Sequence, residues 1–171
     1  SAVTKKALDI CKKLKFESIS FISFKKLKLK KNTVFIDAIL GTGLKGNVRT
    51  GLLKAIKIIN KKTRSYPTLS LDIPSGICAD TGKEMGTSII ADATAAFIGR
   101  KRGCYTSIGK ERAGKVYFDD LSVGKDIFHR VDSNCYILNM ENHLQKISER
   151  DLNSHKGNYG HVLVIGGNTG F

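Results

Sequence analysis

Val34-Phe-Ile-Asp-Ala-Ile-Leu-Gly-Thr-Gly-Leu44 is the stretch that decides the fold. Thr33–Leu40 is a near-continuous apolar run, which predicts a parallel strand covered on both faces, and Gly41 ends it. Leu52, Leu53, Ile56 and Ile59 then recur at helical spacing, predicting a helix from about Thr50 to Lys61. Thr68–Leu71 reads as a second buried strand, stopped by Asp72-Ile-Pro-Ser-Gly76. Ala91–Ile98 and Lys115–Phe118 supply two more strands. Upstream, Val3, Ala7, Ile10, Cys11 and Leu14 mark an amphipathic helix over residues 2–15. Ser18–Ser23 reads as a short strand whose Phe21, with Phe24, alternates with Ile19 and Ile22 and belongs to the core. Strands and helices alternating, with glycine-rich turns at strand ends, predict a Rossmann-like doubly wound α/β sheet.

Composition bounds the rest. The 171 residues are 41% hydrophobic, which excludes a disordered or collagen-like chain. No run of about 18 apolar residues occurs, so no membrane span is expected, and no apolar signal segment follows Ser1. Cys11, Cys78, Cys104 and Cys135 are scattered without a Cys-x-x-Cys pair, as in reduced, mostly buried thiols of a cytoplasmic protein. The net charge is +14, and residues 1–62 carry sixteen Lys and Arg against three Asp and Glu. The densest run, Lys25 to Lys31, lacks interleaved Arg and exposed aromatics, so a solvated lysine face is expected rather than a nucleic-acid surface.

The chemistry concentrates at strand ends. Gly41-Thr42-Gly43-Leu44-Lys45-Gly46 matches Gly-x-Gly-x-x-Gly between a strand and a helix, where glycines let the backbone approach a phosphate. Asp37 lies inside the preceding strand, where an uncompensated carboxylate is costly and needs a partner. Ligands of open α/β sheets bind outside the carboxyl ends of the strands, so Asp37, the glycine loop, Asp72 and Ser75 are expected to share one crevice. Two carboxylates and a hydroxyl there suit a hard cation, or one carboxylate suits general acid/base work; an ordinary Asx-type turn at Asp72 is the alternative. Ala79-Asp-Thr-Gly82 reads as a turn, and Arg100-Lys101-Arg102, which could touch a phosphorylated ligand, reads better as a surface turn. From about residue 125 the pattern changes. Residues 126–150 read as a linker, and His161–Ile165 as a new strand running into Gly166-Gly-Asn-Thr-Gly170, the start of a second domain cut off at Phe171.

Four motifs in order carry a resemblance: Val34 to Leu44, Leu71-Asp-Ile-Pro-Ser-Gly-Ile77, Ala79-Asp-Thr-Gly82 and Ala91-Asp-Ala-Thr-Ala-Ala-Phe97. Together they resemble the NAD(P)H-hydrate epimerase family, the YjeF N-terminal domain, over about residues 1–125. Ser154-His-Lys-Gly-Asn-Tyr-Gly-His-Val-Leu-Val-Ile-Gly-Gly167 is similar to the opening of the ADP-dependent NAD(P)H-hydrate dehydratases, a ribokinase-like domain, over residues 151–171.

The resemblance implies epimerisation of R- and S-forms of hydrated NADH and NADPH (NADHX, NADPHX), small-molecule substrates, in a cytoplasmic enzyme of nucleotide repair. It implies Asp37 and Ser75 as potassium ligands and Gly41, Thr42, Gly43, Leu44, Lys45, Gly46 and Asn47 as the loop holding the hydrated dinucleotide. Asp72 is implied as a substrate contact and is the expected proton-transfer residue. ADP or ATP is implied for the dehydratase part, which dehydrates the S-form. No nucleic acid or membrane partner is expected, and a homo-oligomer is left open. Family members also carry an Asn-Gly-Gly-Asp-Gly loop, expected upstream of Ser1, and some have Asp where Asn47 stands. Two other functions remain open: an NAD(P)-dependent oxidoreductase, with Asp72 reading the ribose, and a non-catalytic nucleotide-binding module of the same fold.

Overall fold

The computed structural model describes residues 2–131, 135–138, 152–159, 161 and 163. The chain divides into two compact units, residues 1–132 and 133–171. The first holds helices α1 (Ala2–Lys13), α2 (Phe21–Lys26), α3 (Thr50–Thr63), α4 (Ser107–Ala113) and α5 (Lys125–His129). It also holds strands β1 (Phe35–Asp37), β2 (Thr68–Leu71), β3 (Ala93–Phe97) and β4 (Lys115–Asp119). In the second, a 3-10 turn spans Lys156–Tyr159. The strand expected at His161–Ile165 and the glycine turn after it lie outside the described residues, as does most of the expected linker.

The four strands form one parallel sheet in the order β1-β2-β3-β4, with Asp37 beside Ser70, Leu71 beside Ala95 and Ala93 beside Lys115. This α/β arrangement fits a Rossmann-like fold, and no reversal of strand order falls among the described strands. Helix α3 provides the crossover from β1 to β2, and α4 that from β3 to β4. The β2–β3 connection, residues 72–92, is a long loop pinned by a bridge between Ile77 and Glu84. Because all strands run the same way, the loops after Asp37, Leu71 and Phe97 emerge at one end of the sheet.

Periodicity explains what packs. The expected apolar face of α3 is found: Ile56 is fully buried with Val48 and Ile89, and Leu52, Leu53 and Ile59 pack around them. A second cluster joins Ile73, Ile77, Cys104 and Ala113, with Ile108 and Val116 against it. At the opposite end of the sheet Asp92 ties β2 to β3. Its carboxylate accepts the Thr68 N–H at 2.8 Å, and its own N–H donates to the Thr68 carbonyl at 2.9 Å. No described helix is long and apolar enough to cross a membrane.

Four expectations are corrected. Ser18–Ser23 is no strand: the Ser20 hydroxyl accepts the Ser23 N–H at 3.0 Å, an N-cap that starts α2, and Phe21 stacks on Phe24 at helical spacing. No residue of α2 is buried, so Phe21 and Phe24 are not core. Strand β1 is shorter than the apolar run and lies at the edge of the described sheet, with Ile36 64% exposed, so it is not covered on both faces. Of the cysteines only Cys104 is buried; Cys11 and Cys135 are exposed. The lysines between Lys25 and Lys31 are exposed, as expected.

Gly76 closes the Asp-Ile-Pro-Ser-Gly turn in a conformation only glycine tolerates, with φ +100° and the Thr87 carbonyl oxygen 2.0 Å from where a Cβ would sit. Gly76→Ala is expected to destabilise the fold by at least about 2 kcal/mol, since left-handed strain alone costs about 1–2 kcal/mol and backbone must also move. Chemical denaturation reads this directly; an unchanged midpoint would show that the turn relaxes freely.

Candidate functional site

Asp37 ends β1 only 4% exposed, a depth at which an ionised carboxylate requires donors. The chain supplies them. Oδ2 accepts the Ser70 hydroxyl at 2.9 Å and the Ser75 N–H at 2.8 Å, while Oδ1 accepts the Ser75 hydroxyl at 2.6 Å and the Ile39 N–H at 3.3 Å. The expected partner of Asp37 is therefore first of all its own neighbours. Ser75 also accepts the Leu40 N–H at 2.8 Å, and its Oγ lies 3.1 Å from the Leu40 carbonyl. One serine thus stitches the start of the glycine loop to the turn after β2. Asp37, Ser75 and the Leu40 carbonyl present only hard oxygen donors, the chemistry that group 1 and group 2 cations select. Among the described residues no group of three or more His, Cys, Asp and Glu could hold a softer metal.

Beside this cluster lies a cavity of about 580 Å³, lined among others by Gly41, Gly43, Leu44, Lys45, Asn47 and Arg49. The glycines here differ from Gly76. A Cβ at Gly41 or Gly43 would meet nothing within 4 Å, and only Gly46, at φ +79°, needs glycine for its backbone. Neither packing nor conformation requires glycine at Gly41 and Gly43, and the backbone there stays open to the cavity. Arg49, the N-cap of α3, makes no side-chain cap, so the first turn of this 14-residue helix keeps its N–H groups open beside two cations, Lys45 and Arg49. That end of the cavity favours an anion. Arg49 escaped the sequence reading because it falls after the glycine pattern; its place just before the helix start was the available signal.

Asp72 follows β2 in the left-handed region at φ +70°, an uncommon conformation for a residue with a side chain. It is not among the residues lining the glycine-loop cavity. Its Oδ1 accepts the Phe97 N–H at 3.3 Å and forms an ion pair with Lys101 Nζ. Lys101 also donates to the Phe97 carbonyl at 2.8 Å. The expected surface turn at Arg100-Lys101-Arg102 is thus half right. Arg100 donates to the Tyr105 hydroxyl and Arg102 to the Asp80 carbonyl, but Lys101 turns inward to Asp72. Beside the pair, burial pushes the Cys104 thiol up to about 11, so it stays protonated and neutral. In the Ala79–Gly82 turn, hydrogen bonds from the Thr81 hydroxyl and the Thr81 and Asp80 backbone hold the Cys78 thiol below its ordinary value.

Of the residues singled out in the sequence, the structure joins Asp37 to Ser75 directly and sets Gly41, Gly43, Leu44, Lys45 and Asn47 around one cavity. It puts Asp72 on the β3 side of its own turn. Thr42 and Gly46 belong to the same loop.

Residues 1–103 match the family profile of YjeF-related protein N-termini. A protein of Coxiella burnetii, the "Bifunctional NAD(P)H-hydrate repair enzyme Nnr", is 36% identical over 90% of this chain and 31% of its own length. Its namesake in Vibrio cholerae is 35% identical over 80% of this chain and 27% of its own. The "NAD(P)H-hydrate epimerase" of Levilactobacillus brevis is 38% identical over 53% of this chain and 41% of its own. The chain spans about a third of the length of the first of these relatives.

Proposed function

This chain belongs to the family of YjeF-related protein N-termini, and from that premise we propose that it epimerises hydrated NADH and NADPH, exchanging their R- and S-forms. The observation that carries the reading is the open glycine loop beside α3, next to the Asp37–Ser75 cluster, in a chain whose relatives are named for NAD(P)H-hydrate epimerisation and repair. The loop glycines leave space for a dinucleotide, and Lys45, Arg49 and the α3 N-terminus suit its pyrophosphate.

The reaction needs little beyond positioning and one proton carrier. The hydrated ring bears a hydroxyl on carbon 6, beside the ring nitrogen. As the carbon–nitrogen bond opens, its electron pair goes to nitrogen, and the hydroxyl proton passes through Asp72 to that nitrogen. Reclosure on the other face of the new carbonyl returns the proton and inverts the centre. Atoms and electrons balance, and no redox partner enters. Asp37 and Ser75 would hold a potassium ion, which when bound offsets the carboxylate charge and steadies the loop at Leu40. The dehydration implied for residues 151–171 rests largely on residues outside the described set and adds nothing to this reading.

The direct test is exchange between purified R- and S-NADHX, followed by NMR or chromatography, with and without the natural polypeptide that carries this chain. No acceleration over the uncatalysed exchange would remove the proposal. The loop makes a separate claim. Gly43→Ala is expected to change stability by less than about 0.5 kcal/mol, because its Cβ meets no protein atom, yet to weaken NADHX binding measurably. Unaltered binding in that variant would take the ligand away from the loop.

A further inference from the structure

We propose that Lys101 is the positioning residue for Asp72: it anchors one carboxylate oxygen and leaves the other to carry the proton. The inference rests on Asp72 being the proton-transfer group of the proposed epimerisation.

The geometry is a closed arrangement. Phe97, the last residue of β3, donates its N–H to Asp72 Oδ1 at 3.3 Å, its carbonyl accepts Lys101 Nζ at 2.8 Å, and Nζ meets the same Oδ1. Both interactions on the carboxylate land on Oδ1, and among the described residues no hydrogen bond reaches Oδ2. A carboxylate that exchanges a proton with substrate needs one oxygen held and one free; Asp72 has both.

Nothing local places Lys101 there. It lies 29 residues from Asp72 along the chain, and its side chain is only 16% exposed, although an unconstrained lysine would extend into water. A cation drawn that far in is costly unless paired, so the pair is a built feature rather than a passing surface contact. Its flanking residues are spent elsewhere: Arg100 sits over the Phe118 ring and Arg102 reaches the Asp80 carbonyl. Asp72 itself is held at φ +70°, an uncommon backbone conformation for a residue with a side chain. Fixing the backbone aims the side chain; fixing Oδ1 then sets its rotation, and among the described residues Lys101 and the Phe97 N–H do so.

The test is a cycle on the natural polypeptide, reading kcat and KM of NADHX epimer exchange for wild type, Lys101→Met, Asp72→Asn and the double variant. A misplaced reacting group costs up to about 100-fold in rate, so Lys101→Met is expected to lower kcat about 10–100-fold with KM within about threefold. In the Asp72→Asn background the same substitution is expected to cost nothing further, because there is no proton carrier left to aim. An unchanged kcat in Lys101→Met, or a loss undiminished in the double variant, would overturn the assignment. Should Lys101→Met not fold by thermal melt, Lys101→Leu, which keeps apolar bulk but removes both donor and charge, takes its place with the same expected readings. A wild type that does not accelerate exchange defeats the epimerase reading itself. Active wild type with an unaffected Asp72→Asn defeats the role of Asp72. Only an active wild type, an impaired Asp72→Asn and a normal Lys101→Met isolate failure of the present inference.

Discussion

Asp72→Asn is expected to slow the interconversion of R- and S-NADHX by about 10²–10⁴-fold while leaving substrate binding near its normal strength, the range that loss of a general acid/base spans. Asparagine keeps the shape of the side chain and an oxygen that can still accept the Phe97 N–H now bound at 3.3 Å. What it removes is the group that can take and return a proton, together with the charge that holds Lys101. The fold should survive, because the Asp72 side chain is 28% exposed and the turn around it is fixed by backbone hydrogen bonds, Asp72 N–H to the Ala95 carbonyl among them. Epimer exchange followed by NMR separates the two effects, since a binding defect raises KM and a chemical defect lowers kcat. An exchange rate equal to that of the wild type would remove Asp72 from the mechanism.

How much of this was legible before any coordinates depended on the range of the interaction. Helix α3 and strands β2, β3 and β4 fall where periodicity puts them, because Leu52, Leu53, Ile56 and Ile59 fit only a helix and the strand runs end at turn residues. Helix α2 did not, since the Ile19–Phe21 and Ile22–Phe24 steps mimic strand alternation while Phe21 and Phe24 also share a helical face, and a serine cap decided it. The meeting of Asp37 and Ser75, 38 residues apart, was foreseeable because parallel strands deliver their carboxyl ends to one edge of the sheet. Lys101 was not. In sequence it is the middle of three basic residues, and only the path of the chain after β3 tells it from Arg100 and Arg102. Topology can be read from pattern; the direction in which one long side chain turns cannot.

Asp37→Ala should be the most destabilising single change at the site, by about 3–5 kcal/mol, a large share of the roughly 5–15 kcal/mol that holds an ordinary domain together. The carboxylate accepts three donors at 2.9 Å or less and a fourth at 3.3 Å, all at the junction of β1, the glycine loop and the turn after β2. Some can find substitutes, as the Ser75 hydroxyl can turn to the Leu40 carbonyl 3.1 Å away. The Ser75 N–H cannot, because it is backbone in a turn fixed by Pro74 and Gly76, and a buried donor left unpaired costs about 1–3 kcal/mol by itself. Loss of the charge-assisted bonds from Ser70 and Ser75 supplies the rest. Asp37→Asn should fall between, since its amide keeps one acceptor but turns a donor toward groups that are already donors. The potassium assignment adds an independent reading through linkage: a bound ion stabilises only the folded state. Wild-type melting temperature is therefore expected to rise when sodium is exchanged for potassium at constant ionic strength, and Asp37→Ala to show no such difference. Equal melting temperatures of the wild type in the two salts would leave Asp37 a structural anchor and remove the ion from the site; a potassium response that survives Asp37→Ala would move it elsewhere.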